Sequence, residues 1–301
     1  MTTESPALPV ASRRSGRVTV VIATRNRRTE LARTLRHLAG LPARPAVVVV
    51  DNASGDGTAR TVGEVFPDVR LVRLPRNAGA CARNIGVELA DTPYVAFSDD
   101  DSWWEPGSLA RAADLFDRHP RLAVLVGRVL LGEEGREDAV SRKMASAPLG
   151  SPPDLPGPAV LGFPACAAVV RKDAFRSVGG FSDLLFFGGE ESLVALDLAA
   201  AGWGAAYVED VVAHHQPSPQ REGDAARWAL HRRNDLLVHW MRLPLTGAVR
   251  RTGALAAKAL HDRAAARALA GLLRRLPAAL AHRRPVPPSV VRRLERLGEL
   301  R

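Results

Sequence analysis

Short β-branched runs alternate with stretches of helical spacing from residue 18 to about residue 208, and this alternation narrows the possible folds most sharply. Val18–Ala23 (VTVVIA) and Val47–Val50 (VVVV) have the near-continuous apolar character of parallel strands covered on both faces. Between them, Arg28–Ala39 carries Leu31, Leu35 and Leu38 along one helical stripe. Thr58–Phe66 then reads as a helix, Val69–Leu74 as a strand, Gly79–Ala90 as a helix and Tyr94–Phe97 as a strand. Gly107–Arg118 and Leu122–Leu131 continue the rhythm as helix and strand. The pattern predicts a doubly wound α/β sheet, mostly parallel and flanked by helices.

The edges of this pattern define three regions. Residues 1–16 are polar and read as a flexible N-terminal tail. Residues 17–218 hold the α/β pattern. Within them, 132–162 is rich in Gly, Pro, Ser and charge and reads as one long mobile loop. Ala165–Val170 follows as a strand, Asp173–Val178 as a short helix, Glu190–Ala201 as a helix with Leu193, Leu196 and Leu198 on its apolar side, and Ala205–Val208 as a closing strand. Residues 219–301 read as a helical extension interrupted at Pro244, Pro277 and the PVPP of 285–288.

Charge separates the last two regions. The chain has a net charge of +10, yet residues 219–301 hold 18 Lys+Arg against 6 Asp+Glu, which leaves the remainder slightly acidic. A basic segment of this kind suits an anionic surface. Nucleic acid is the weaker partner, because no basic aromatic platform, zinc motif or RNA-binding signature accompanies the charge. Residues 264–301 pair leucine and alanine with arginine clusters, as in Arg267–Arg275 (RALAGLLRR). Such helices can lie on an anionic membrane with arginines at the headgroups. In Arg221–Arg242, by contrast, Trp228, Leu236, Leu237 and Trp240 read as packing residues. No run approaches the roughly 20 apolar residues that cross a bilayer, and the opening MTTESPALPVASRRSGR lacks the apolar stretch of a secretory signal. Cys81 and Cys166 are too few for a disulfide framework, so a cytoplasmic protein is expected, peripheral on the inner membrane face if the basic helices attach. Trp103, Trp104 and Trp203 are more simply packing groups than sugar-stacking platforms.

In an open α/β sheet, ligands bind beyond the carboxyl ends of the strands. Three polar clusters stand there: Thr24-Arg25-Asn26, Asp51-Asn52 and Ser98-Asp99-Asp100-Asp101. Three successive carboxylates after a buried strand repel one another unless a cation neutralises them. Oxygen ligands of this kind suit Mg²⁺ or Mn²⁺ completed by substrate phosphates. An exposed acidic turn is the alternative.

With these clusters in view, the sequence resembles the family-2 glycosyltransferases of the GT-A fold. The matching stretches are VTVVIATRNR (18–27), VVVVDNASGDGT (47–58), LPRNAGACARNIGVELADTPYVAFSDDDSWWEPGSL (74–109) and GGFSDLLFFGGEESLVALDLAAAGW (179–203). The resemblance implies a GT-A-like mixed sheet and an inverting transfer of sugar from a nucleoside diphosphate-sugar to an acceptor hydroxyl. The acceptor is unknown, with lipid-linked and polysaccharide acceptors both within the family's range. It further implies that Thr24, Arg25, Asn26 and Asp51 bind the nucleoside, and that Asn77, Gly79 and Arg83 line the donor loop. Asp101 would hold a divalent metal, Mn²⁺ or Mg²⁺. Asp99 or Asp100 would take the ribose or a metal-bound water, with Asp99 a further candidate ligand. Where the family usually carries Glu-Asp, this chain has Glu190-Glu191. Glu191 stands at the base position, its carboxylate displaced by about one C–C bond. A histidine after the last strand would complete the metal shell; His214 continues the phase of VVAH, with His215 the alternative.

Two other readings differ in kind. A nucleotidyltransferase shares the nucleotide half but gives no reason for GGF…GGEE. A degenerate nucleotide-sugar-binding protein would draw its support from Glu191 in place of aspartate. A dinucleotide oxidoreductase is disfavoured, because the turn after the first strand is ATRNRRTE, without GxGxxG.

Overall fold

The structure, a computed structural model, describes residues 16–217 and 224–300. The tail expected at 1–16 therefore lies, Gly16 apart, outside the described residues. The chain opens with β1 (Val18–Thr24), α1 (Arg28–Ala39), β2 (Ala46–Asp51), α2 (Thr58–Val65), β3 (Arg70–Arg73), α3 (Ala82–Leu89) and β4 (Tyr94–Ser98). It continues through β5 (Ser102–Trp104), α4 (Ser108–Arg118), β6 (Leu122–Leu131), β7 (Arg136–Glu137), α5 (Ala139–Ala145), β8 (Ala168–Arg171), α6 (Lys172–Ser177), α7 (Glu190–Ala200) and β9 (Gly204–His215). The strands form one sheet in the order β3-β2-β1-β4-β8-β6-β9-β5, with β7 beside β6.

β1 to β4 pair in parallel, as their unbroken apolar runs require. Val20, Ile22, Val49 and Ala96 are fully buried under α1 and α4, and Val21, Val50, Val95 and Phe97 under α3 and α6. β8 is antiparallel to β4 and to β6, and β5 is antiparallel to β9, so the sheet is mixed. The first three crossovers bring the ends of β1, β2 and β4 to one edge, which fixes the place of the site.

Four expectations for the sheet region are corrected. Residues 132–162 are not one loop: Arg136–Glu137 folds back onto β6, and α5 follows with Asp138 as N-cap, accepting from the Val140 amide at 2.6 Å. Elements this short carry no periodicity to read. The helix expected at Gly79–Ala90 opens with a 3-10 turn, Gly79–Cys81, before α3. The strand at Ala165–Val170 likewise opens with a 3-10 turn, so only Ala168–Arg171 pairs. The closing strand runs on to His215, because Glu209–Val211 bulges out of the ladder and pairing resumes at Arg128↔Val212. Gly127 permits the bulge, since a Cβ there would lie 2.5 Å from the Val211 carbonyl oxygen.

The C-terminal region forms α8 (Asp224–Arg242), α9 (Leu245–Ala259), α10 (Arg263–Ala281) and α11 (Pro288–Arg296). Pro277 does not interrupt it as expected but sits inside α10. Leu236, Leu237 and Met241 of α8, Ala268 and Leu272 of α10, and Val290 and Leu294 of α11 share one core with Leu185, Leu193 and Leu196 of the α7 region. The apolar stripe expected to enter a membrane is thus packed inside the protein. Leu273 and Leu280 are the large apolar groups it leaves exposed, and Leu245, Val249 and Leu260 are exposed earlier in the extension. Trp228, expected as a packing residue, is also exposed, with Lys258 Nζ 4.3 Å above its ring. Among the described residues, no helix is long and apolar enough to cross a membrane.

Candidate active site

The site begins with two strand ends whose side chains brace one another. Thr24, last in β1 and buried, donates its hydroxyl to Asp100 Oδ2 at 2.9 Å. Asp51, last in β2, is fully buried; its Oδ1 accepts from the Ser54 amide at 3.0 Å. Its Oδ2 accepts no hydrogen bond among the described residues, and the nearest cationic atom is Arg73 Nε at 3.7 Å. A buried carboxylate oxygen with an open lone pair suits an N–H donor from outside the chain.

The loops around these ends are held by asparagines. Asn26 has a left-handed backbone (φ 53°), and its Oδ1 accepts from the Gly55 amide at 2.8 Å. Asn52, the second residue of the Asp51-Asn52 cluster, bridges to the third strand's loop. Its Oδ1 accepts from the Ala78 amide at 2.9 Å and its Nδ2 donates to the Gly79 carbonyl at 3.2 Å. Asn77 Oδ1 is engaged by the Gly79 amide at 2.9 Å, so its side chain shapes the loop. Gly79 is required outright: its φ is +60°, and a Cβ would meet the Phe186 carbonyl oxygen at 2.1 Å. Arg25 is exposed beside this rim.

The acidic turn after β4 is drawn tight by Ser102, whose hydroxyl accepts from the Asp99 amide at 2.8 Å. Thr34 of α1, missed in the sequence, donates to the Asp100 carbonyl at 2.9 Å. Asp99, Asp101 and His215 each offer a ligand atom within 4.8 Å of the others, and His215 Nε2 lies 3.3 Å from Asp101 Oδ1. His214 is the correction here. Side chains alternate along a strand, so it points away from this cluster, toward Glu105, and stacks on Trp103 with centroids 5.7 Å apart. Trp103 is in turn stacked on His37 at 4.0 Å, and Trp104 is buried, so both act in packing. Asp100 points back into the protein. Burial, followed by repulsion from Asp101 and Asp99, raises its carboxyl to about 7.

Arg83 joins the two halves of the site. Its guanidinium is buried, pairs with Asp99, and feels the charges of Glu190 and Glu191. It is thus turned toward carboxylates of this chain rather than toward an open cleft. Glu190 and Glu191 open α7, after Gly188 and Gly189, both with positive φ (84° and 91°). Burial raises both carboxyls; repulsion from Glu190 adds to burial at Glu191 and brings it to about 7. Glu190 Oε2 is buried without a hydrogen-bond partner among the described residues. The distance from α7 to the DDD turn along the chain exceeds 80 residues, and only the fold closes it.

Sequence reasoning also missed Asn234. It is fully buried on α8, and its amide nitrogen donates to the carbonyls of Leu185 (2.9 Å), Phe187 (2.8 Å) and Gly188 (2.5 Å). The loop entering α7 is therefore gripped by the C-terminal helices. No local signal in the sequence marks this residue.

The chain is similar in sequence and fold to known proteins. Residues 19–179 match the model of glycosyl transferase family 2. An N-acetylglucosaminyl-diphospho-decaprenol L-rhamnosyltransferase of Mycobacterium tuberculosis is 28% identical across 78% of this chain and 90% of its own length. A pre-mycofactocin glycosyltransferase of the same species is 32% identical across 71% of this chain, which spans 46% of that relative. Among solved structures, a mannosyltransferase of Pyrobaculum calidifontis in complex with GDP-Man and Mn²⁺ aligns with a TM-score of 0.57 at 20% identity, over 98% of this chain and 84% of that one. S. aureus TarS 1–349 in complex with UDP-GlcNAc aligns equally well, with a TM-score of 0.57 at 16% identity, over 88% and 90%.

Proposed function

The chain belongs to glycosyl transferase family 2, and on that premise we propose that it moves a sugar from a nucleoside diphosphate-sugar to an acceptor hydroxyl with inversion. One observation carries this reading: Arg83 pairs with Asp99 and stands within electrostatic reach of Glu190 and Glu191, which brings the acids after β4 and the acids opening α7 around one guanidinium. Separate roles for two sets of carboxylates call for such proximity.

In this reading Asp51 Oδ2 accepts from the nucleobase, and Thr24 to Asn26 border the nucleoside. Asp99, Asp101 and His215 fit a divalent ion: two hard oxygen ligands and an imidazole nitrogen converge within bonding reach of one centre. When bound, the ion would offset the charge growing on the departing diphosphate. Arg83 keeps Asp99 oriented and lowers the mutual repulsion of the acids. Glu191 takes the proton of the acceptor hydroxyl as that oxygen bonds to the anomeric carbon. The bond from that carbon to the diphosphate oxygen breaks on the opposite face, and its electron pair leaves with the nucleoside diphosphate. Burial, with the charge of Glu190 added, keeps Glu191 ionisable near neutrality.

The acceptor in this reading is lipid-linked, as the name of the rhamnosyltransferase relative states for that protein. Work on such an acceptor would place the enzyme peripherally at a membrane face. A panel of nucleoside diphosphate-sugars, assayed for nucleoside diphosphate release with and without Mn²⁺ and a prenyl-diphosphate-linked sugar, tests the proposal. Acceptor-dependent release from one donor is the expected result. Donor binding without release would leave a degenerate binding protein.

A further inference from the structure

Residues on α8 and α10 place three arginines together beside the loop that leads to Glu190 and Glu191. Arg233 Nη2 donates to the Leu185 carbonyl at 2.9 Å, and its Nε donates to Asn234 Oδ1 at 2.9 Å. Its stem crosses Gly271, where a Cβ would stand 2.9 Å from Arg233 Cδ, so the glycine lets α8 and α10 approach closely. Arg275 lies one turn after Gly271, and Arg274 precedes it.

Within the extension, Arg242 pairs with Asp197 and Arg232 with Asp235. No ion pair among the described residues involves Arg233, Arg274 or Arg275. Arg275 Nη1 is buried and has no hydrogen-bond partner among the described residues. Burial, together with repulsion from Arg275 and Arg274, lowers Arg233 to about 10. Like charges held together with a buried donor left open are costly unless an anion completes them. Guanidinium forks bind phosphate oxygens in pairs, which makes phosphate the anion best matched here.

Exposed apolar groups neighbour the cluster's residues along the chain. Phe186 and Phe187 follow Leu185 directly and are 38% and 48% exposed, and Leu273 beside Arg274 is 54% exposed. Phe186 is held at φ 66°, a left-handed conformation that a bulky side chain adopts only under constraint. The constraint is visible: its carbonyl accepts from the Ala80 amide at 2.7 Å, and Asn234 binds the carbonyls on either side. Two large apolar groups are thereby kept at the surface within five residues of Glu191.

We propose that Arg233, Arg274 and Arg275 form a site for the phosphate or diphosphate of an amphiphilic acceptor, whose apolar chain leaves over Phe186, Phe187 and Leu273. The site deepens the glycosyl-transfer reading and rests on it for the word acceptor. The anion site itself stands on its own geometry.

The test uses the full chain in excess EDTA, so that the Asp99–Asp101–His215 cluster holds no diphosphate through a divalent ion. Binding of inorganic pyrophosphate, farnesyl diphosphate and farnesol is measured by titration calorimetry. Farnesyl diphosphate should bind at least about tenfold more tightly than pyrophosphate, and farnesol should not bind. The double variant R274Q/R275Q should weaken both diphosphates about tenfold or more, while R292Q/R296Q, which removes two cations from α11, should leave them unchanged. Should the first double variant fail to fold, the exposed Arg274→Gln alone carries the comparison. Equal weakening by both pairs would reduce the site to diffuse charge and overturn the proposal. So would binding to phosphatidylglycerol vesicles without binding to either soluble diphosphate, since the arginines would then meet a bilayer headgroup. Retained diphosphate binding in a protein that fails the donor panel would remove the reaction and leave the anion site standing.

Discussion

Asp101 and Glu191 are the residues on which the proposed chemistry turns, and each has a substitution that changes its charge with little change of shape. Asp101→Asn removes one hard anionic ligand. It should abolish most Mn²⁺-dependent transfer while the melting temperature, followed by circular dichroism, stays close to that of the parent. Unchanged turnover at limiting Mn²⁺ would remove Asp101 from the metal shell. Glu191→Gln keeps the volume and loses the proton acceptor, so kcat should fall by roughly 10²–10⁴ with donor KM little altered. The direction of the Glu191 shift adds a pH test. Burial and the charge of Glu190 hold the carboxyl at about 7, and only its ionised form can take a proton. The rate should therefore rise as pH increases through about 7 and fall below it, and Glu191→Gln should erase that limb. A flat profile from pH 5 to 8 in the parent would argue for a different base.

At the scale of elements, α8 holds the entry to α7 in place. Asn234 has two amide protons shared among three loop carbonyls, and Arg242 pairs with Asp197 of α7, with a second contact between Arg242 Nη2 and Asp197 Oδ2 at 3.0 Å. Asn234→Ala leaves buried carbonyls unsatisfied, at about 1–3 kcal/mol per group, and releases the turn that aims Glu191. Its kcat should drop while donor KM holds, with a lower melting temperature; a lowered melting temperature with full kcat would make Asn234 structural only. Arg242→Met removes one partner of a buried pair. It should cost about 3–5 kcal/mol, read as a shift of the urea midpoint, and a midpoint within error of the parent would show the pair to be dispensable.

At the scale of the whole molecule, the helical extension and the sheet region share a core. Leu185, Leu193 and Leu196 are buried by α8, α10 and α11. A chain ending at residue 217 should therefore expose an apolar face and accumulate as aggregate; a monomer with a cooperative melt would show that the sheet region folds alone. What the sequence determined is the part governed by local rules. Runs such as VTVVIA and VVVV can satisfy themselves only as buried parallel strands, and their period with the intervening helices puts Thr24, Asp51 and Asp99–Asp101 at strand ends. The family resemblance added Glu190 and Glu191. The tertiary structure alone decided the rest. Whether His214 or His215 faces the acids depends on a bulge at Glu209–Val211, which resets the alternation of β9 and is set by its pairing with Gly127. The turning of Arg83 toward Asp99, the grip of Asn234 on the α7 loop and the meeting of Arg233 with Arg274 and Arg275 join residues 16 to 49 positions apart. Helix packing creates these contacts, and no periodicity along the chain encodes them.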